Sequence, residues 1–380
     1  MQCRPALALA PSGQFAFVSR RRVRLWAVEA VREHTLIVMW FVSDPDARHG
    51  TSLVTKSMPK DSPSNIRILV AGDKSHAGKS TVSLGLLAAL LESGFQASDL
   101  AYIKPATQCV SSTLTARFCQ ANGIAYEHIG PVVFYRGMTR AALDQPASDG
   151  AEVPAASDDA AAASSAAADF VAKCATAVDR ISSGKRLTLI DGVGYPSVGS
   201  IIGCSSADVA IACRAPVLIV GRPGVGDAVD SFNLCAAYFE ARRIPVLGGI
   251  FNKLQPTGFY GRDNCDAYIR KYFGANRPRQ RVYGLLPAHE QLAKLAGEET
   301  CGFAYSHPAQ PEEAGPLTPE DEAALGVVRQ LFREYVDTSL LVQDLSAASA
   351  DPAAWVRELS SYPGTAVGAG ASGTKRGRAQ

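Results

Sequence analysis

The segment from Ile66 to Ser93 restricts this chain more than any other. A short, mostly apolar run, Ile66 to Ala71, leads into Gly72-Asp73-Lys74-Ser75-His76-Ala77-Gly78-Lys79-Ser80-Thr81. Apolar residues at helical spacing follow (Val82, Leu84, Leu87, Leu90 and Leu91), and Gly94 closes the pattern. The run suits a strand buried on both faces of a parallel sheet, and the spaced leucines ending at glycine suit a helix. Strand, tight turn and helix is the order that a phosphate cradle needs. Main-chain N–H groups of the turn and the positive end of the helix dipole converge on a polyphosphate. Lys79 is expected to reach the β- and γ-phosphates as a catalytic point charge, and the Ser80 hydroxyl to ligate Mg²⁺. ATP and Mg²⁺ are therefore the candidate cofactors, with every residue from Gly72 to Thr81 lining the nucleotide.

The rest of the chain alternates in the same way. Leu100–Ile103, Leu187–Ile190, Pro216–Val220, Val246–Phe251 and Val282–Leu286 read as strands. Thr113–Asn122, Phe170–Ile181 and roughly Val229–Arg242 read as helices. Repeated β-α-β with short turns predicts an α/β fold, a doubly wound and mostly parallel sheet with helices on both faces. Ligands of such sheets bind at the carboxyl ends of the strands. The expected organisation is an N-terminal extension (1–64), an α/β domain (65–300) with a low-complexity Ala/Ser/Asp insertion (146–168), a C-terminal helical extension (315–362) and a disordered tail (363–380). Residues 1–64 show no helix or strand rhythm apart from Leu36–Val42, and they are expected to be poorly ordered or a targeting segment. In the C-terminal extension, Thr318-Pro319, the acids after it, and Leu325, Val328, Leu331, Phe332 and Tyr335 predict an N-capped amphipathic helix packed on the core.

With Gly78-Lys79 fixed, the first glycine of the common GxxxxGK[ST] loop falls on Asp73, and Gly72 stands one place early. This shifted loop resembles the variant P-loop of the dethiobiotin synthetases, the cobyrinic and cobyric acid synthases and the MinD/ParA ATPases. Further residues fit that resemblance. Lys104-Pro105, after the second strand, looks like the KP motif whose lysine helps bind the reacting carboxylate or carbamate, which implies a catalytic Lys104. Asp191-Gly192-Val193-Gly194 resembles the segment whose acid completes the Mg²⁺ sphere, so Ser80 and Asp191 are the implied metal ligands. Asn252 and Lys253 look like the pair that reads the adenine edge. Gly284-Leu285-Leu286-Pro287 with Glu290 is similar to the stretch near the base, which adds Pro287 to the cofactor-binding set. In the MinD/ParA branch a second lysine precedes the P-loop lysine by five residues, and Lys74 stands there. A homodimer in which Lys74 acts across the interface stays open.

The match departs from the pattern in the substrate half. The dethiobiotin enzymes carry another Mg²⁺-binding aspartate soon after the KP motif, whereas 107–120 contains no acid. The hydroxyl expected four residues after the lysine is Gln108, with Thr107 beside it. No glutamine-amidotransferase domain follows. The resemblance implies an ATP-dependent ligase or synthetase that phosphorylates a carboxylate or carbamate of an unidentified small molecule. The alternative is a nucleotide-switched ATPase or regulatory binding module. Two glycine-rich loops, 192–200 and 221–227, lie at the ligand-binding edge. Arg222 and Asp227 there read equally as anion contacts or as turn residues with an Asp N-cap.

Composition narrows the partners. A formal net charge of +2 argues against a nucleic-acid or anionic-membrane surface. The longest apolar run, Leu36 to Val42, is too short to span a bilayer. Nine cysteines without a CxxC pair suit reduced thiols in an intracellular compartment. The cytoplasm is the first expectation. The Arg-rich start fits an organelle transit sequence (mitochondrion or plastid), a wrongly assigned start codon or a disordered arm.

Overall fold

The computed structural model describes residues 24–32, 35–43, 53–55, 65–108, 110–143, 159–296 and 313–356. The chain divides into two units, 1–62 and 63–380. In the first, β1 (Arg24–Arg32), β2 (Thr35–Ser43) and β3 (Leu53–Thr55) form an antiparallel sheet in that order. The sequence reading placed no regular elements here beyond one apolar run, and the structure corrects that. The run lies inside β2, whose β-branched and aromatic residues favour a strand once a partner supplies the ladder.

The second unit is built on β4 (Ile66–Gly72), β5 (Leu100–Ile103), β6 (Ala106–Thr107), β7 (Ala125–Glu127), β8 (Val132–Val133), β9 (Leu187–Asp191), β10 (Val217–Gly221), β11 (Val246–Leu254) and β12 (Arg281–Pro287). Seven of these form one parallel sheet in the order β12-β11-β10-β4-β9-β5-β7, and β6 pairs with β8 in a separate short ladder. The central strand, β4, therefore feeds the phosphate loop with β10 on one side and β9 on the other.

Each face of the sheet has its own apolar layer. The helices are α1 (Lys79–Glu92), α2 (Leu114–Asn122), α3 (Met138–Leu143), α4 (Asp159–Ser182), α5 (Ser206–Ala212), α6 (Gly226–Glu240), α7 (Arg262–Asn276), α8 (Glu290–Ala296), α9 (Pro319–Tyr335) and α10 (Thr338–Ala350). Leu69 and Ala71 of β4 face a layer that includes α4, α5, α6 and α7, whereas Ile68 and Val70 face one that includes α1, α2, α9 and α10. The period of two puts successive residues on opposite faces, and both faces are buried. Full burial of a side chain such as Leu87 or Phe232 contributes about 2–3 kcal/mol.

Two sequence expectations are adjusted. α4 begins at Asp159, so the alanine-rich half of the 146–168 tract is part of a helix. Alanine's high helix propensity accounts for this once the helix is anchored from Phe170 onward. Residues 144–158 and 357–380 lie outside the described residues, which leaves out the start of that tract and the expected tail. α6 is capped by Val225, not Asp227, which sits in the first turn.

The expected C-terminal helix is α9. Thr318 Oγ1 accepts from Asp321 N, Pro319 occupies the first turn, and Leu325, Val328 and Phe332 are buried. Phe332 lies over α1 at Gly85, where a Cβ would come within 2.0 Å of the ring. Glycine there allows the two helices to approach closely. Gly85→Ala is expected to lower stability by about 1–3 kcal/mol through overpacking, although alanine is intrinsically better in a helix by about 1 kcal/mol. Urea unfolding measures this, and Phe332→Leu in the same chain should recover part of the loss.

The buried Asp321 carboxylate takes a two-pronged contact from Arg117, with Nε and Nη2 each at 2.8 Å. Burial pushes its pKa up, but Arg117 and the Thr318 N–H pull it further down, so it lies below the ordinary aspartate value. A carboxyl lowered on folding contributes stability that is present above the unfolded-state pKa and lost as pH falls through the folded one. Asp321→Asn is therefore expected to cost stability at neutral pH and to flatten the acid limb of a stability–pH curve. An unchanged acid limb would contradict this role.

Candidate functional site

The ends of five neighbouring strands converge on one site. β4 ends at Gly72, and the loop to Gly78 delivers Lys79 and Ser80 to the first turn of α1. Gly78 has φ 94°, and a Cβ on it would lie 2.1 Å from Asn252 Nδ2. Both the backbone angle and the space demand glycine. At Gly72 a Cβ would meet the Lys74 carbonyl at 2.8 Å and the Gly194 carbonyl at 3.1 Å. That contact lets the phosphate loop lie directly on the loop after β9.

The loop is tied down from both sides. Asp73 is buried, and its Oδ2 accepts from the main-chain N of Arg222 at 2.9 Å and from Arg222 Nε at 2.8 Å. Arg222 follows β10 directly, so this pair bolts the loop to the neighbouring strand end. It also raises the Arg222 pKa, chiefly through the hydrogen bond to Asp73. From β11, Asn252 Nδ2 donates to the Ala77 carbonyl at 3.0 Å, and Lys253 Nζ donates to the His76 carbonyl at 2.8 Å. His76 and Lys253 hold positive φ, at 60° and 63°.

Asn252 Oδ1 also accepts from the Lys253 N–H. A carboxamide carries two N–H donors and two lone pairs, so one of each is committed to the protein. Pro287 ends β12, and Leu254 of β11 lies beside it in register. Lys74, Ser75 and His76 are exposed, and Lys79, Ser80 and Thr81 are partly so.

The second cluster is centred on Asp191, the last residue of β9 and 1% exposed. Its Oδ2 accepts from Ser80 Oγ at 3.3 Å and from Tyr102 Oη at 2.9 Å. Lys104 Nζ lies 3.2 Å from Ser80 Oγ and 3.6 Å from Asp191 Oδ2. Lys104 is buried, and its main-chain N–H donates to the Glu127 carbonyl at 2.9 Å. Thr115 Oγ1 donates to the Ser80 carbonyl at 3.1 Å, linking α2 to the start of α1. Lys79, Ser80, Lys104 and Asp191, read from motifs far apart in the sequence, thus share one end of the sheet.

Tyr102 was missed. An aromatic residue inside an apolar strand reads as core, and only the register to β9 brings its hydroxyl to Asp191. Arg222 was singled out, but its partner was not: Asp73 stands where the common loop has glycine, and nothing in its neighbourhood signals a long-range ion pair.

The fit to Mg²⁺ rests on Asp191. Its Oδ1 is buried with no hydrogen-bond partner, whereas a buried carboxylate oxygen normally has one. Ser80 Oγ is close by. A single carboxylate and a hydroxyl suit Mg²⁺, which keeps waters and phosphate oxygens in its sphere. Among the described residues no group of three or more His, Cys, Asp or Glu is placed to hold a metal ion.

A family model described as an AAA domain (AAA_26) matches residues 66–296. No curated protein matches. Solved structures similar to the chain include a Cyanothece McdA–ATP complex, 15% identical, covering 72% of this chain and 97% of that one with a TM-score of 0.37. Another is the signal recognition particle receptor FtsY of Elizabethkingia anophelis with GDP, 12% identical, covering 61% and 60% with a TM-score of 0.32.

Gly78→Ala should abolish nucleotide binding while leaving the fold intact, since the φ of 94° and the Asn252 contact both reject a side chain. The strain is local to the loop, on the order of 1–2 kcal/mol for the backbone angle alone. Isothermal titration with ADP checks this. Binding within about threefold of the unsubstituted chain, well under the tenfold that 1.4 kcal/mol corresponds to, would rule out the loop as the phosphate site.

Proposed function

The chain belongs to the AAA_26 family, P-loop NTPases of the dethiobiotin synthetase-like type, and we propose that it is an ATP-dependent synthetase that phosphorylates a carboxylate or carbamate of a small molecule. The observation that carries this reading is the buried Lys104, whose ammonium stands 3.2 Å from the Ser80 hydroxyl. A binding module needs one lysine on the phosphates, and Lys79 supplies it. A second lysine at the metal-facing end of the loop suits a reaction in which the γ-phosphoryl group and an anionic acceptor meet.

Mg²⁺, held by Ser80 and Asp191 with water and phosphate oxygens, would neutralise charge on the β- and γ-phosphates. The main-chain N–H groups from Lys74 to Ser80 and the α1 dipole would bind the phosphates. Lys79 would stabilise charge on the transferring group, and Lys104 would draw the acceptor oxygen into line and offset the charge that develops there. The absence of an acid in 107–120 leaves Asp191 as the sole carboxylate of this centre among the described residues that the motifs supply.

ADP release from Mg·ATP by the full chain tests this, alone and with pooled carboxylates, diamines and bicarbonate, using Lys79→Ala as the blank. Turnover that depends on one pool is expected. Lys104→Ala should then lower turnover by about 10²-fold or more while ATP affinity stays within about threefold. Equal losses in both would remove Lys104 from the reacting group.

A nucleotide-switched ATPase is the second reading, favoured by Lys74, which is exposed on the phosphate loop. It predicts slow turnover indifferent to every pool. It also predicts an ATP-dependent change of mass in sedimentation that Lys79→Ala abolishes.

A further inference from the structure

We propose that Tyr102 is a positioning residue for the metal site: its hydroxyl clamps one oxygen of Asp191 so that the other stays available to the cation. This rests on the reading of Asp191 as the Mg²⁺ acid.

Tyr102 lies in β5, paired in register with Leu189 of β9, and is fully buried in the apolar layer under α1 and α2. A phenol placed among Leu87, Leu100, Phe118 and Leu189 is costly unless its hydroxyl is satisfied. Tyr102 Oη donates to Asp191 Oδ2 at 2.9 Å. The ring alone would serve the core as phenylalanine does, so the hydroxyl has a role beyond packing.

The two oxygens of Asp191 are treated unequally. Oδ2 has the Tyr102 hydroxyl, the Ser80 hydroxyl and the Lys104 ammonium around it, at 2.9, 3.3 and 3.6 Å. Oδ1 is buried without a donor. Ser80 and Lys104 are also the groups assigned to the metal and to the phosphates. Their contacts to Oδ2 must yield when those ligands arrive. Tyr102 is not among the groups assigned to the metal or the phosphates, and it comes from the sheet rather than from the loop. It is the contact that persists and keeps the carboxylate plane fixed by one oxygen. Hydrogen bonds of this kind to a metal-binding carboxylate set its orientation, and losing one typically costs 10–100-fold in metal affinity.

The test uses the full chain with ADP and Mn²⁺, reading free Mn²⁺ by electron paramagnetic resonance, and ADP affinity in EDTA by calorimetry. Tyr102→Phe is expected to weaken Mn²⁺ binding to the ADP complex by about tenfold or more and to leave ADP affinity in EDTA unchanged. Asp191→Asn should weaken Mn²⁺ binding strongly. Adding Tyr102→Phe to Asp191→Asn should cost nothing further, because the tyrosine acts through that carboxylate. Tyr102→Met, another core-compatible residue without a hydroxyl, should show the same split if the phenylalanine variant fails to fold.

Unchanged Mn²⁺ affinity in Tyr102→Phe, an equal loss of ADP affinity in EDTA, or an additive loss in the double variant would each overturn the proposal while leaving Asp191 as the metal's acid. Mn²⁺ binding that survives Asp191→Asn would instead overturn the assignment of Asp191 itself.

Discussion

The Asp73 carboxylate stands where the common phosphate loop has its first glycine, and it is fixed by the main-chain N–H and Nε of Arg222. Asn252 and Lys253 hold the Ala77 and His76 carbonyls from the other side. The loop's shape is thus imposed from β10 and β11 as much as by its own residues. This explains how His76, which is not a glycine, holds a positive φ. A positive φ at a non-glycine residue costs roughly 1–2 kcal/mol, and the Lys253 contact to the His76 carbonyl holds that residue at 60°. The donors that would face a polyphosphate are therefore arranged before any ligand arrives. Preorganisation of this kind is the main way a protein stabilises charge on a transferring group.

The fold was legible where the chain is buried on both faces. Ile66–Ala71, Leu100–Ile103 and Leu187–Ile190 are apolar apart from Arg67 and Thr188, because parallel strands covered by helices bury both faces. The structure extends them by a residue at most. Less was legible at the margins. β7, β6 and β8 are two or three residues long, too short for a period to show. α5 follows a glycine-rich loop and is set by a capping box at Ser205 and Asp208. α7 presents polar residues around most of its surface, with Cys265, Ile269 and Phe273 alone buried in it. The Ala/Ser/Asp tract was hard to read because its composition suits both a solvated segment and a helix. Attachment to Phe170 and the residues after it decides the case.

The site divides in the same way. Lys79, Ser80, Lys104 and Asp191 were readable because each sits just past an apolar strand or turn, where a polar residue stands out. Their convergence follows from the strand order β10-β4-β9-β5. Asn252 and Lys253 were readable by position, but the structure adds their hold on the phosphate loop, which no local pattern could show. Tyr102 was hidden by the property that makes strands easy to find: in a run such as Leu100-Ala101-Tyr102-Ile103 an aromatic ring reads as packing. Its hydroxyl gains meaning only from a residue 89 positions away. The signal that exists is chemical. Phenylalanine would fill the same space without a polar atom to satisfy.

Charge explains why this edge of the sheet is built as it is. Burying a carboxylate costs several kcal/mol unless it is paired and hydrogen-bonded, and both buried acids here have a cation close by: Arg222 for Asp73 and Lys104 for Asp191. Such pairs seldom add net stability, so the apolar layers on the two faces must carry the fold while the edge carries the chemistry. On the proposed reading a nucleotide would bring several negative charges next to Asp191. At about 4 Å and an effective dielectric near 20, each such repulsion is on the order of 4 kcal/mol. Lys104 cannot offset both the carboxylate and the phosphates from one position. A divalent cation between Ser80 and Asp191 would release the lysine to the reacting group, whereas Tyr102 would keep the carboxylate in place as the lysine leaves.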